Sequence, residues 1–88
     1  MKTGFKTSFA KDLKSIKSKA VLETVAKLIE NIEVAHDLRA VPDVKKLKAK
    51  GNYYRIKLGD YRVGITVTKD EVTLVRCLDR KEIYRYFP

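Results

Sequence analysis

The hydrophobic pattern changes its period partway along this chain, and this change constrains the fold more than any other feature. Apolar residues first recur at the spacing of one helix face, at Val21, Leu22, Val25, Leu28, Ile29 and Ile32. From residue 53 onward the period is two, so that Tyr54, Ile56 and Leu58 share one face of a strand. Helical segments followed by consecutive strands are typical of an α+β fold, in which the helices pack on one face of an antiparallel sheet.

The N-terminal half is predicted to hold an edge strand and two helices packed as a hairpin. Residues 3–7 alternate weakly, as a short edge strand does. Ser8 is predicted to cap a short helix with an apolar face at Phe9, Leu13 and Ile16. Ser18 is predicted to cap the second helix, and residues 36–52 are polar and predicted to be irregular.

The C-terminal half is predicted to be a small, twisted meander that ends in a short helical turn. Gly59 and Asp60 fit the turn of a type II′ hairpin, because glycine readily takes the positive φ of the first turn position. A further strand is expected over residues 72–78, followed by a short helical turn or tail. The sheet is therefore expected to be mainly antiparallel.

The register of this hairpin places like charges opposite each other. With the turn at residues 59–60, Lys57 faces Arg62, and Arg55 faces Gly64, which leaves space beside the Arg55 side chain. Like charges directly opposite each other in an antiparallel pair are destabilising. A bound phosphate would remove this repulsion, so the pair indicates a binding face for an anion.

Length, charge and cysteine content limit the function classes. The 88 residues suffice for one domain, residues 1–88, with a single modest core. The net charge of +9 predicts an anionic partner, either nucleic acid or an acidic protein. A membrane surface is disfavoured, because no helix places basic residues opposite Trp or Phe. The single cysteine, Cys77, excludes an intramolecular disulfide and favours the reducing cytoplasm.

Several kinds of chemistry find no support in the residues present. No His, Cys, Asp and Glu set has metal-ligand spacing, and no glycine-rich phosphate loop occurs, so no metal or cofactor is expected. His36 follows the second helix, where an interaction with the helix dipole explains it better than catalysis does. Cys77 fits a buried strand position better than a nucleophile. Metal-free RNA cleavage stays open, since it needs only cations around the phosphate and groups that exchange protons.

The hairpin and the tail together resemble a known family. The segments "KKLKAKGNYYRIKLGDYRVGI" and "RCLDRKEIYRYFP" are similar to the RelE/ParE superfamily of type II toxin–antitoxin toxins, especially to the archaeal-type RelE branch. The resemblance covers essentially the whole chain and implies the RelE-like microbial RNase fold. It also implies a metal-independent, ribosome-dependent mRNA endoribonuclease, which inhibits translation by promoting attack of the 2′-hydroxyl on the scissile phosphate.

The resemblance further implies roles for particular residues. The catalytic set carried over from the family motif is Arg55, Lys57, Arg62, Arg80 and Tyr84. Lys57 and Arg62 would bind the scissile phosphate, and Arg55, which is lysine in the best-known form of the family, would position or relay a proton. Arg80 would lie near the leaving 5′-oxygen, and Tyr84 would stack on a base or act as acid or base. The wider RNA-binding surface is predicted to include Lys45, Lys46, Lys48, Tyr53, Lys81 and Arg85.

Two partners follow from the resemblance, and other functions stay open. The partners are mRNA in the ribosomal A site and a cognate acidic, RelB-like antitoxin, which the charge of +9 favours. One alternative is a ParE-like toxin, which shares the fold and the need for an antitoxin but inhibits DNA gyrase. Another is a nucleic-acid-binding module or a decayed toxin without catalytic activity. The lysines of residues 45–50 are also explained as a solvated charged run on the surface of a cationic protein.

Overall fold

The elements follow the predicted order, with a short strand and a 3-10 helix added in the connecting segment. A computed structural model describes residues 1–88. Its elements are β1 (Lys2–Phe5), α1 (Thr7–Ser15), α2 (Lys19–Val34), a 3-10 helix (Leu38–Ala40), β2 (Val44–Lys46), β3 (Tyr53–Leu58), β4 (Tyr61–Thr68), β5 (Glu71–Asp79) and α3 (Ile83–Tyr86). None of the helices combines the length and the apolar composition needed to cross a membrane.

The strands form one five-stranded sheet in the order β1-β5-β4-β3-β2. β1 is an edge strand and runs parallel to β5, whereas the other neighbouring strands are antiparallel. The predicted α+β fold, with an N-terminal edge strand and a mainly antiparallel sheet, is therefore confirmed.

The hydrophobic core lies between the sheet and the two long helices. It is a cluster of 13 buried residues, to which α1 contributes Phe9 and α2 contributes Val25, Leu28 and Ile32. The rest of the predicted α2 face is partly buried and packs against this cluster. From the sheet, Ile56, Val63 and Ile65 are each at most 1% exposed. Because side chains alternate between the faces of a strand, the basic residues of β3 and β4 project from the opposite face, which we call the open face.

The two serines predicted as helix caps behave differently. Ser18 caps α2 as predicted, and its hydroxyl accepts a hydrogen bond from the Val21 amide at 3.3 Å. The prediction for Ser8 is wrong, because α1 begins at Thr7 and Lys6 occupies the cap position without a side-chain bond. The Ser8 hydroxyl instead donates to the Val75 carbonyl at 2.6 Å, which fastens α1 to β5.

The connecting segment 36–52 is more ordered than its composition predicts. Asp37 caps the 3-10 helix by accepting a hydrogen bond from the Arg39 amide. β2 then adds a fifth strand to the sheet by pairing with β3, with Lys45 opposite Arg55. A strand of three residues that contains two lysines is too short and too polar to show an alternating pattern.

The β3–β4 hairpin has the predicted register. Lys57 pairs with Arg62, and Arg55 pairs with Gly64. Gly59 has a φ of 63°, the positive value that the first position of a type II′ turn requires. The prediction of free space at Gly64 is wrong, because a Cβ atom at this position would lie 2.6 Å from the ring of Phe87. The C-terminal segment has filled that space.

Candidate active site

The open face brings Arg55 and Tyr84 together although they are 29 residues apart in the sequence. The Arg55 Nε donates to the Tyr84 hydroxyl at 3.3 Å. One terminal nitrogen of the same guanidinium donates to the Asp43 carbonyl at 3.1 Å, in the bend before β2. Arg55 is half-buried, and these two hydrogen bonds hold its guanidinium, whereas 60% of Tyr84 is exposed. This pair can therefore present a hydroxyl and a cation to a ligand on the open face.

Lys57 and Arg62 lie opposite each other on β3 and β4. The Arg62 guanidinium turns back onto the hairpin and donates to the carbonyls of Gly59 and Tyr61 at 2.7 and 2.8 Å. The Lys57 side chain is exposed and forms no ion pair. Its ammonium is therefore available to an anion, and Arg62 can exchange carbonyl partners for charged oxygens.

Arg80 follows the end of β5 and is fastened to the hairpin turn through its backbone. Its amide donates to the Asp60 carbonyl at 2.8 Å, while its side chain is exposed and unpaired. Next to it, the Lys81 amide donates to the Asp79 carboxylate at 2.8 Å, which shapes the turn into α3. The fold thus places Arg80 beside the turn that carries Lys57 and Arg62.

The lysines of the connecting segment form one wall of a groove of about 460 Å³. The groove is lined by Lys45, Lys46, Leu47, Lys48, Ala49, Tyr84, Phe87 and Pro88. The structure therefore brings the three lysines predicted to bind RNA to the same groove as Tyr84. Apolar rings next to exposed cations are a surface suited to single-stranded nucleic acid, whose bases stack and whose phosphates need positive charge.

Two of the predicted RNA-binding residues have other contacts. The ring of Tyr53 packs edge-on against Phe87, with 5.7 Å between centroids and an interplanar angle of 84°. Arg85 lies 3.7 Å from the Glu82 carboxylate, and both side chains are well exposed. An exposed pair at this distance holds the arginine only weakly, so Arg85 stays available to a phosphate.

Arg76 belongs to the open face but its charge is already compensated. It forms a two-bond salt bridge with Asp12 at 2.8 and 3.0 Å, and the same carboxylate accepts from the Cys77 amide at 2.9 Å. The hydrogen bond with Asp12 raises the pKa of Arg76. These contacts join α1 to β5, and no local pattern in the sequence indicates them because 64 residues separate the partners.

The remaining reactive side chains lie outside the cationic cluster. Cys77 is 1% exposed, and burial raises the pKa of its thiol to about 12, so the thiolate is not formed near neutral pH. No group of three or more His, Cys, Asp and Glu side chains is arranged to hold a metal ion. The chemistry that the site offers is therefore that of arginine, lysine and tyrosine.

The class of protein follows from a family model that matches most of the chain. A family model described as the ParE toxin of a type II toxin–antitoxin system, parDE, matches residues 4–84. The chain therefore belongs to the RelE/ParE superfamily of toxins from type II toxin–antitoxin systems, as the resemblance predicted.

Individual relatives carry RelE names. The chain is 40% identical to Toxin RelE3 of Methanocaldococcus jannaschii, over 100% of both chains. The crystal structure of a RelB–RelE antitoxin–toxin complex from Methanococcus jannaschii superposes with a TM-score of 0.82 at 39% identity, covering 97% of this chain and 99% of the other. An archaeal RelE–RelB complex from Pyrococcus horikoshii matches with a TM-score of 0.74 at 26% identity, covering 93% and 97%. The chain is thus a toxin of the RelE type.

Proposed function

We propose that this toxin is an endoribonuclease that cuts mRNA in the ribosomal A site and thereby inhibits translation. The proposal is carried by two contacts on the open face, between Arg55 and Tyr84 and between the paired residues Lys57 and Arg62. Arg80 follows β5 beside the hairpin turn, and neither Lys57 nor Arg80 has an acidic partner. The RelE names of the similar proteins support it.

The reaction is attack of the 2′-hydroxyl on the adjacent phosphate, with departure of the 5′-oxygen. Lys57 and Arg62 bind the phosphate, and Arg62 leaves its turn carbonyls because its guanidinium bonds a charged phosphate oxygen more strongly than an uncharged carbonyl. Arginine and lysine stabilise the extra negative charge of the pentacoordinate intermediate. The proposal assigns no step to a metal ion.

Arg55, Arg80 and Tyr84 complete the proposed site. Arg55 positions or relays a proton, and its Nε already donates a hydrogen bond to the Tyr84 hydroxyl. Arg80 lies on the side of the leaving 5′-oxygen. Tyr84 stacks on a base or exchanges a proton. Lys45, Lys46, Lys48, Lys81 and Arg85 bind the flanking phosphates.

The second partner that we propose for this toxin is an antitoxin. The similar structures from two archaea are complexes with RelB. A net charge of +9 favours an acidic chain as the neutralising partner, because opposite charges accelerate encounter and align the surfaces. Since its proposed substrate is ribosome-bound mRNA, the toxin acts in the cytoplasm.

Translation of a reporter mRNA in a cell-free extract tests the proposed function. The parent protein should stop translation and produce new 5′ ends, which primer extension maps to the A site. The double variant Lys57→Ala/Arg62→Ala should cut at least about 100-fold more slowly. As a control, Lys6→Ala/Lys14→Ala removes the same charge from exposed positions of the N-terminal half and should cut like the parent. Equal rates for parent and site variant would overturn the residue assignment.

Inhibition of DNA gyrase is the second candidate, because the matching family model is described as ParE. A supercoiling assay with purified gyrase, run beside the translation assay, separates the two functions. RNA cleavage without an effect on gyrase supports the proposal. Loss of supercoiling without new mRNA ends supports the ParE-like function.

A further inference from the structure

Three residues lie side by side across neighbouring strands of the open face. Gly64 on β4 is paired with Arg55 on β3 and with Arg76 on β5. A glycine between two arginines leaves a gap in the side-chain layer of this face. Next to this gap the pairing of β4 with β5 is irregular, because its register shifts between Gly64 and Ile65.

The C-terminal segment contacts each member of this row with one aromatic side chain. Tyr84 accepts the hydrogen bond from Arg55, and the ring of Tyr86 lies 5.5 Å from the guanidinium carbon of Arg76. Between them, the ring of Phe87 lies over Gly64. The row and the segment are thus complementary, since each arginine contacts a tyrosine and the glycine lies under the phenylalanine ring.

Phe87 is the anchor of the segment. It is 2% exposed, although it lies outside the main hydrophobic core. Its fit requires a glycine, because a Cβ atom at position 64 would be 2.6 Å from two ring carbons, much less than a van der Waals contact. The edge of Tyr53 closes one side of the ring. The Phe87 ring therefore fills a space on the sheet that the glycine at position 64 leaves open.

The placement of Tyr84 depends on this anchor. α3 has only four residues, and so short a helix has no stability without tertiary contacts. Tyr84 itself is 60% exposed, and its one side-chain hydrogen bond is the 3.3 Å contact with Arg55. Buried side chains fix the helix at its first residue, Ile83, and just beyond its end, at Phe87, whose amide donates to the Ile83 carbonyl at 2.8 Å.

We infer that Phe87, seated on Gly64, is a positioning residue for the RNA-cleaving reaction, because it holds the Tyr84 hydroxyl against Arg55. The inference rests on the proposed function of the open face. A displacement of about 1 Å of a catalytic group can cost roughly 100-fold in rate. Without the Phe87 side chain, α3 moves away from the sheet, and the hydrogen bond between Arg55 and the Tyr84 hydroxyl is lost.

A double-mutant cycle on single-turnover cleavage of ribosome-bound mRNA tests the inference. Phe87→Ala and Tyr84→Phe should each slow the reaction by about tenfold or more. If Phe87 acts through Tyr84, the double variant is no slower than the slower single variant. Losses that multiply, or a Phe87→Ala rate within about twofold of the parent, overturn the inference. Phe87→Leu keeps an apolar anchor and should restore most of the rate, while Phe5→Ala, which removes an exposed ring elsewhere, is the matched control.

Nuclear magnetic resonance tests the placement without any activity. The parent should show contacts between the Tyr84 ring and the Arg55 side chain and slow exchange of the Phe87 amide. Phe87→Ala, and likewise Gly64→Ala, should lose the ring contact while the core signals stay in place. Retention of the contact in Phe87→Ala overturns the inference. If the parent itself cuts no mRNA, the proposed function fails separately, and the spectra still decide whether Phe87 places Tyr84.

Discussion

Lys57 and Arg62 face each other across the β3–β4 hairpin, and Arg62 directs its guanidinium at the carbonyls of Gly59 and Tyr61. The partial negative charge of these carbonyls offsets part of the repulsion between the two side chains. The hairpin thus tolerates facing cations, and in the proposed site Arg62 would reach a phosphate bound beside Lys57. A bound anion would remove the unfavourable interaction between the two side chains.

Reversing the charge of Lys57 should separate stability from activity. Lys57→Glu places an acid opposite Arg62, and a favourable cross-strand pair contributes about 0.2–1 kcal/mol. The free energy of unfolding, measured by urea titration, should therefore rise. The rate of mRNA cleavage should fall at least about 100-fold, because the carboxylate repels the phosphate.

A matched charge reversal controls for the net charge of the protein. Lys6→Glu changes an exposed residue just after β1, at the edge of the sheet away from the hairpin. Its cleavage rate should stay within about threefold of the parent, since screened charges at this separation act weakly. A Lys57→Glu variant that is less stable than the parent would show that the two cations do not repel each other in the hairpin.

Replacing Arg55 by lysine should weaken the site although the charge is kept. Arg55 donates to the Tyr84 hydroxyl and to the Asp43 carbonyl with two nitrogens of one rigid fork. A lysine ammonium has no such fork and cannot occupy both positions. Loss of one hydrogen bond of about 1 kcal/mol predicts a cleavage rate roughly fivefold to tenfold lower. A single-turnover rate equal to that of the parent would contradict a role for the fork.

Asp12 should be essential for stability rather than for chemistry. Its side chain is 11% exposed and that of Arg76 is 25% exposed, so removing the carboxylate leaves a cation and the Cys77 amide largely buried without a partner. Asp12→Ala should lower the free energy of unfolding by about 2–4 kcal/mol. Arg39→Ala removes an equally direct salt bridge to Asp37 on the exposed surface but keeps the backbone hydrogen bond by which Asp37 caps the 3-10 helix, so it should leave stability unchanged within error. Equal effects of the two variants in urea titrations would contradict this interpretation.

The buried thiol of Cys77 should make the fold less stable at alkaline pH. Its pKa is raised to about 12 in the folded state, against about 8.5 for a free thiol, so the unfolded chain binds fewer protons between these values. The stabilising contribution is present below about pH 8.5 and is lost as pH rises, by at most about 1.4 kcal/mol per unit. Cys77→Ala should flatten the pH dependence of the unfolding free energy in this range. Parallel curves for parent and variant would show that the thiol does not titrate differently in the two states.

Local rules predicted the hairpin well. A glycine at the first turn position fixes the register, and from it the facing of Lys57 and Arg62 follows without tertiary information. The apolar faces of α2 and of the strands follow equally from their periods. β2 was not predicted because its three residues have no strand pattern of their own. They form a strand because they pair with β3.

The contacts that complete the site are long-range and have no local signature. Phe87 looks like part of a polar tail in the sequence, and its burial depends on a glycine in the middle of β4. Arg76 looks like a free cation until α1 brings Asp12 to it. The sequence therefore predicts which residues line the open face, but the fold decides which of them keep an uncompensated charge.

Cleavage of an mRNA with a single 2′-deoxynucleotide at the mapped position shows whether the 2′-hydroxyl is the nucleophile. The parent protein should leave this mRNA intact at that site, while the all-ribose mRNA is cut and its upstream fragment carries a 2′,3′-cyclic phosphate or the 3′-phosphate derived from it. Cleavage of the deoxy substrate at an equal rate, or an upstream fragment with a free 3′-hydroxyl, would contradict 2′-hydroxyl attack on a phosphate held by Lys57 and Arg62.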